Sequence, residues 1–141
     1  MAEEPSGQIT SLNYFDEEIN EFVFDDVALE YLQTQLDSQD WYFFIFILKF
    51  KQLTGNNLTM FHLKLLEDDL LYKRRVFERT LVRLEAMLLV KRVENWKFKE
   101  YIITQNGKYI IYDLKRTRPK FYEETVNETV SVIEKSDLFK K

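Results

Sequence analysis

Apolar positions along the chain recur at two periods, and the change between them divides the sequence into elements. From Asp16 to about Leu36 the chain is acidic, and Val27, Leu29, Tyr31, Leu32 and Leu36 give it a helical reading in one or two pieces. Asp37-Ser38-Gln39-Asp40 interrupts it and offers capping oxygens to the next element. That element, Trp41 to about Leu53, is apolar nearly all round. The pattern predicts a helix there, with a buried strand as the alternative reading of a short aromatic run. Thr54-Gly55-Asn56-Asn57 is a stop. A short helix from Thr59, its cap, to Leu66 comes next, then Glu67-Asp68-Asp69, then a longer helix from about Leu71 to Met87. Phe77, Leu81, Leu84 and Leu88 make one apolar stripe on that helix, and Arg75, Arg79 and Val82 fall on the opposite face.

After Met87 the period shortens to that of a strand. Leu89–Glu94 and Phe98–Thr104, parted by Asn95-Trp96-Lys97, predict a β-hairpin. Gln105-Asn106-Gly107 leads into a helix from Lys108 to about Lys115, halted by Pro119. A last helix, Tyr122 to Lys135, carries Tyr122, Val126, Val130 and Ile133 as its stripe. Residues 1–14 read as a frayed end, 15–118 as one unit, and 119–141 as a C-terminal arm. The expected fold is therefore mainly α with a small β-hairpin. A helix without a polar face needs covering on every side, which in so short a chain suggests a second subunit. Trp41, Phe44 and Leu48, with Tyr122, Val126, Val130 and Ile133, are the residues expected at that interface.

Charge sharpens the reading. The net charge is −4, yet residues 1–40 hold eleven Asp or Glu and no Lys or Arg, while residues 41–120 hold seventeen basic residues against eight acidic. Phosphate responds to the local field, so an acidic total does not argue against a nucleic-acid partner. The basic residues also cluster by element: Lys73, Arg74, Arg75, Arg79 and Arg83 on the long helix, Arg92, Lys97 and Lys99 on the hairpin. Helix, short helix, basic helix and hairpin in that order are a winged helix-turn-helix, whose third helix enters a major groove and whose hairpin meets the backbone or minor groove. The acidic first forty residues read as a solvated helix, a dimerisation arm, or a segment competing with DNA for the basic face.

Two segments carry a resemblance. Thr80–Val93, TLVRLEAMLLVKRV, is similar to the end of the recognition helix and first wing strand of MarR-like and archaeal winged-helix regulators. Tyr101–Leu114, YIITQNGKYIIYDL, resembles their second wing strand, T-x-x-G turn and following helix. Where those proteins have a glycine after the recognition helix, this chain has Leu88. Glycine takes the left-handed conformation of a helix end at little cost, and leucine does not. The resemblance implies a homodimer held by N- and C-terminal helices.

The expected function is sequence-specific binding of double-stranded DNA by a cytoplasmic homodimer. Arg75 and Arg79 would read bases, with Arg74, Glu78 and Arg83 beside them. Lys73, Arg92, Lys97 and Lys99 would meet phosphate. The alternative is a winged-helix protein–protein interaction module of a transcription or replication assembly. No enzyme is expected. Three glycines cannot assemble a phosphate-cradling loop or a nucleophile elbow, and a chain with no cysteine has no thiolate. His62, the lone histidine, and the pairs Asp25-Asp26 and Asp68-Asp69 read as capping and solvated groups, so no metal or cofactor is expected. Trp96 reads as a hairpin packing residue, with a wedge against DNA as its sharper reading. Trp41, Tyr42, Phe43 and Phe44 read as core or dimer interface, with a pocket for an aromatic effector as theirs. The longest apolar run, Trp41 to Leu48, is too short to cross a membrane.

Overall fold

A computed structural model describes residues 14–94 and 98–136. The chain is mainly helical with a small antiparallel sheet. Its elements are β1 (Tyr14–Asp16), β2 (Glu21–Val23), α1 (Asp26–Thr34), α2 (Ser38–Thr54), β3 (Leu58–Thr59), α3 (Met60–Leu66), α4 (Arg74–Ala86), β4 (Val90–Glu94), β5 (Lys99–Ile103), α5 (Gln105–Thr117) and α6 (Pro119–Lys135).

The local signals account for most boundaries. Asp37 and Asp40 close a capping box at the head of α2, and Gly55 ends that helix with a φ of 79°. Thr59 caps α3 by accepting from the His62 N–H, and its own N–H donates to Nδ1 of the His62 ring, which places the histidine in the helix cap. Thr104 caps α5 by accepting from the Gly107 N–H. β4 and β5 pair from Val90↔Ile103 to Glu94↔Lys99, and β3 adds to the far side of β5 through Leu58↔Tyr101. The strand order is thus β3-β5-β4.

Two boundaries differ from expectation. The segment from Asp16 was expected to be helical. Instead Tyr14–Asp16 and Glu21–Val23 pair as a hairpin, and the first helix starts at Asp26. Its turn is stabilised by the Asp16 carboxylate, which accepts from the Glu18 N–H, and by Asn20 in the left-handed region at φ 55°. Pro119 does halt α5, which ends at Thr117, but the last helix begins at Pro119 itself rather than near Tyr122, because a missing N–H in the first turn leaves nothing unsatisfied.

The core forms around α2. Trp41 through Ile47 are all buried, as is Phe50, and Phe43 lies 4.1 Å from Phe77 of α4 between ring centroids. On another side α6 packs along α2 more extensively than any other pair of elements. The apolar helix is therefore covered within its own chain, which corrects the expectation that it needs a second subunit. Trp41 and Phe44 are 2% and 0% exposed, and Ile133 is buried too, so these three have no surface to give a partner. Tyr122 and Val126 pack against the same core, and Leu48 and Val130 are only half-buried. The stripe that α6 buries is centred on Thr125, Thr129, Val132 and Ile133. Both threonines bury easily because each hydroxyl donates to a carbonyl of its own helix. Burial also settles the aromatic run Trp41–Phe44 as core. Tyr42 borders an open cavity of about 500 Å3 between the start of α2 and α6.

Candidate nucleic-acid interface

α4 is the basic helix, and its burial pattern decides which of its cations face outward. Phe77, Thr80, Leu81 and Leu84 are buried against the core. Arg75, Glu78, Arg79 and Val82 are exposed, and Lys73 stands just before the first turn as the residue that caps it, with no side-chain cap bond. The expected outer stripe is therefore the observed one. Arg75, Arg79 and Val82 lie within an arc of about 60° at 100° per residue.

The basic residues expected at the interface separate into two groups. Lys73, Arg75 and Arg79 make no ion pair among the described residues. The others are held within the chain: Arg74 by Glu67 at 3.2 Å, Arg92 by Glu85 at 3.6 Å, and Lys99 by Glu94 at 3.9 Å. These three pairs lie at the surface, where each contributes at most about 1 kcal/mol, so a phosphate could replace the carboxylate. Lys97 and Trp96, at the expected hairpin tip, lie outside the described residues.

Arg83 is a correction. One of its guanidinium nitrogens donates to both oxygens of Asp40, at 2.9 and 2.8 Å, and the other donates to the Gln35 carbonyl at 3.1 Å. The Asp40 side chain is 2% exposed and the Arg83 side chain 48%. Burial raises the Asp40 carboxyl above its ordinary pKa, while the Asp37 N–H and the Arg83 guanidinium oppose that rise. Arg83 is thus committed to holding α4 against the head of α2 rather than to reading a base. Asp37-Ser38-Gln39-Asp40 did mark a cap in the sequence, but nothing there showed that its last carboxylate would be buried.

The hairpin joins α4 through Leu88, which adopts the left-handed conformation at φ 60°. The turn is built as a glycine would build it, with leucine bearing the strain. Three contacts hold it in place. Thr104 Oγ1 donates to the Leu88 carbonyl at 2.7 Å, Asn106 Nδ2 donates to the same oxygen at 3.3 Å, and the Thr104 N–H donates to the Leu89 carbonyl. Gly107 then lets α5 approach, since a Cβ there would lie 2.3 Å from the Leu89 carbonyl oxygen.

The acidic N-terminal segment docks at the base of this hairpin. Glu21 accepts from Lys91 of β4 at 2.7 Å and from the Gln105 N–H at 2.7 Å, and Asn106 bridges Phe22 and Phe24. Its described part, from Tyr14 onward, thus takes up Lys91, which the sequence did not single out, and makes no ion pair with Arg75 or Arg79 among the described residues. Gln39 was also missed. It stands exposed at the start of α2 and lines a shallow cavity of about 200 Å3 with Arg79 and Arg83.

Elsewhere the chemistry is sparse. Burial lowers the pKa of His62, with the Glu100 charge opposing it, and the ring serves the α3 cap. Among the described residues no group of three His, Asp or Glu side chains is placed to hold a metal ion. No described helix is long and apolar enough to cross a membrane. Comparison with protein-family models, with curated proteins and with solved structures finds no match.

Proposed function

We propose that the chain is a winged-helix regulator that binds double-stranded DNA as a cytoplasmic homodimer, with α4 in the major groove and the β4–β5 hairpin on the backbone or minor groove. The observation that carries the reading is the outer face of α4. Arg75 and Arg79 stand exposed and outside any described ion pair, while neighbouring cations are engaged within the chain. Arginine held there can give two donors to O6 and N7 of guanine. The helix order and the sheet order β3-β5-β4 fit a helix-turn-helix followed by a wing.

The second copy fits best on α1 and α5. Val27 and Tyr31 of α1 are 77% and 64% exposed, and Tyr109 and Tyr112 of α5 are 42% and 66% exposed. The two helices are joined by the Gln33–Asp113 hydrogen bond. Exposed charges on α1 are acidic, Asp26 and Glu30, and those on α5 are basic, Lys108, Lys115 and Arg116. A twofold axis would lay the acidic helix of one protomer against the basic helix of the other.

The test is binding to random-sequence duplex across a range of salt, wild type beside the Arg75→Ala, Arg79→Ala double variant. Support is tight binding that weakens steeply with salt, with loss of sequence preference in the variant. Absence of binding at low salt would refute the reading. It would favour instead a protein-interaction module whose partner covers the exposed aromatic face of α1 and α5.

A further inference from the structure

Val82 is a hydrophobic residue that the folded chain leaves unused. It is 68% exposed, and it stands on the same outer stripe of α4 as Arg75 and Arg79, with Glu78, Arg83, Glu85 and the small Ala86 around it. A β-branched side chain at an exposed helical position lowers helix propensity and gains no packing in return, so nothing in the fold calls for valine there. In a major groove it has a specific counterpart. The C5-methyl of thymine is the one apolar group that a base pair presents there.

We infer that Val82 reads a thymine methyl, so that the preferred half-site holds a T·A pair next to the guanine contacted by Arg79. The inference rests on the DNA-binding reading and adds the identity of a base to it. The spacing comes from helix geometry. Val82 lies three residues beyond Arg79, a rise of about 4.5 Å at 1.5 Å per residue. With base pairs about 3.4 Å apart, the thymine falls one to two pairs from that guanine. Valine is short, so its methyls reach a base only if the third turn of α4 is seated in the groove. The helix would then lie along the groove instead of entering by its first turn alone.

The inference is tested in two stages. A duplex site is first selected from a random pool with wild-type protein. Each thymine of that site is then replaced singly by deoxyuridine, which removes the methyl and keeps the pairing. One position per half-site is expected to weaken wild-type binding about fourfold, the factor that corresponds to burying one methyl-sized group. That position should lie within two pairs of a guanine whose substitution no longer matters in Arg79→Ala. The Val82→Ser variant should bind the thymine and deoxyuridine sites within twofold of each other. Its unfolding midpoint should match wild type, since the side chain is exposed. The inference is overturned if no thymine is sensitive, or if Val82→Ser loses as much as wild type at the sensitive position. If the pool yields no enriched sequence, the DNA reading itself fails, and it does so before any deoxyuridine is tried.

Discussion

Replacing Arg83 by methionine isolates the contact that fixes α4 to the head of α2. Methionine keeps an unbranched stem and removes the guanidinium, leaving Asp40 buried beside Thr80 with the Asp37 N–H as its remaining close donor. Removing one partner of a fully buried pair costs about 3–5 kcal/mol. Here the arginine is itself half-exposed and the carboxylate keeps a donor, so about 2–3 kcal/mol is expected at neutral pH. Urea unfolding followed by circular dichroism measures it, and Asp40→Asn with the double variant completes a thermodynamic cycle. The coupling should exceed about 1 kcal/mol. The pH dependence has a definite sign. The carboxyl already titrates above its unfolded value, and loss of Arg83 raises it further. The ionisation-linked cost of Arg83→Met is thus full above the variant's raised pKa and fades as pH falls through the wild-type folded value, below which the carboxyl is protonated in both folded proteins. A loss below about 0.5 kcal/mol, or a loss independent of pH, would refute the reasoning and return Arg83 to the surface. On the proposed DNA-binding reading, the variant should keep the wild-type salt slope below its unfolding transition, whereas loss of a phosphate-contacting arginine would lower that slope by about one unit.

The same geometry carries three further expectations. Leu88→Gly should raise stability by about 0.5–1 kcal/mol in urea unfolding, because relief of a left-handed leucine outweighs the added chain entropy; a lower midpoint would contradict it. Gly107→Ala should cost about 1–3 kcal/mol, since its methyl meets the Leu89 carbonyl at 2.3 Å and Ile103 at 2.8 Å, and an unchanged midpoint would show that α5 shifts freely. His62 has a folded pKa below its unfolded 6.5, so its contribution is present above pH 6.5 and fades as pH falls through the folded value. His62→Gln should keep the cap and flatten that part of the pH–stability curve, and a curve of unchanged shape would assign the titration elsewhere.

Much of the architecture was legible because it is written in local signals. Thr59 before a short apolar helix, Gly55 after a long one, and the shift of period at Met87 each act within a few residues. The hairpin of β1 and β2 was not legible, because strands of three residues show no alternation that could outweigh the helical spacing of Val27 to Leu36. The outer side of α4 was legible as an exposed face and not as a set of unpaired cations. Periodicity gives direction around a helix, whereas the capture of Arg83 depends on Asp40, forty-three residues away. The expectation that α2 needs a second subunit to cover it has the same origin. An apolar helix announces that it must be covered, but α6 covers it partly with threonines whose hydroxyls are satisfied locally, and composition reads those as polar.

The position of α2 at the centre of the fold also bears on how the chain is made. Its aromatic run leaves the ribosome about eighty residues before α6, which packs along it. At synthesis rates of about 5–20 residues per second, that interval is roughly 4–16 s. During it, the continuous apolar run from Trp41 to Leu48 is without its main cover. The nascent chain is then at its most aggregation-prone, and binding by a chaperone would matter there more than at any later stage. A chain truncated before Pro119 would hold that state permanently, so loss of α6 should appear first as poor solubility.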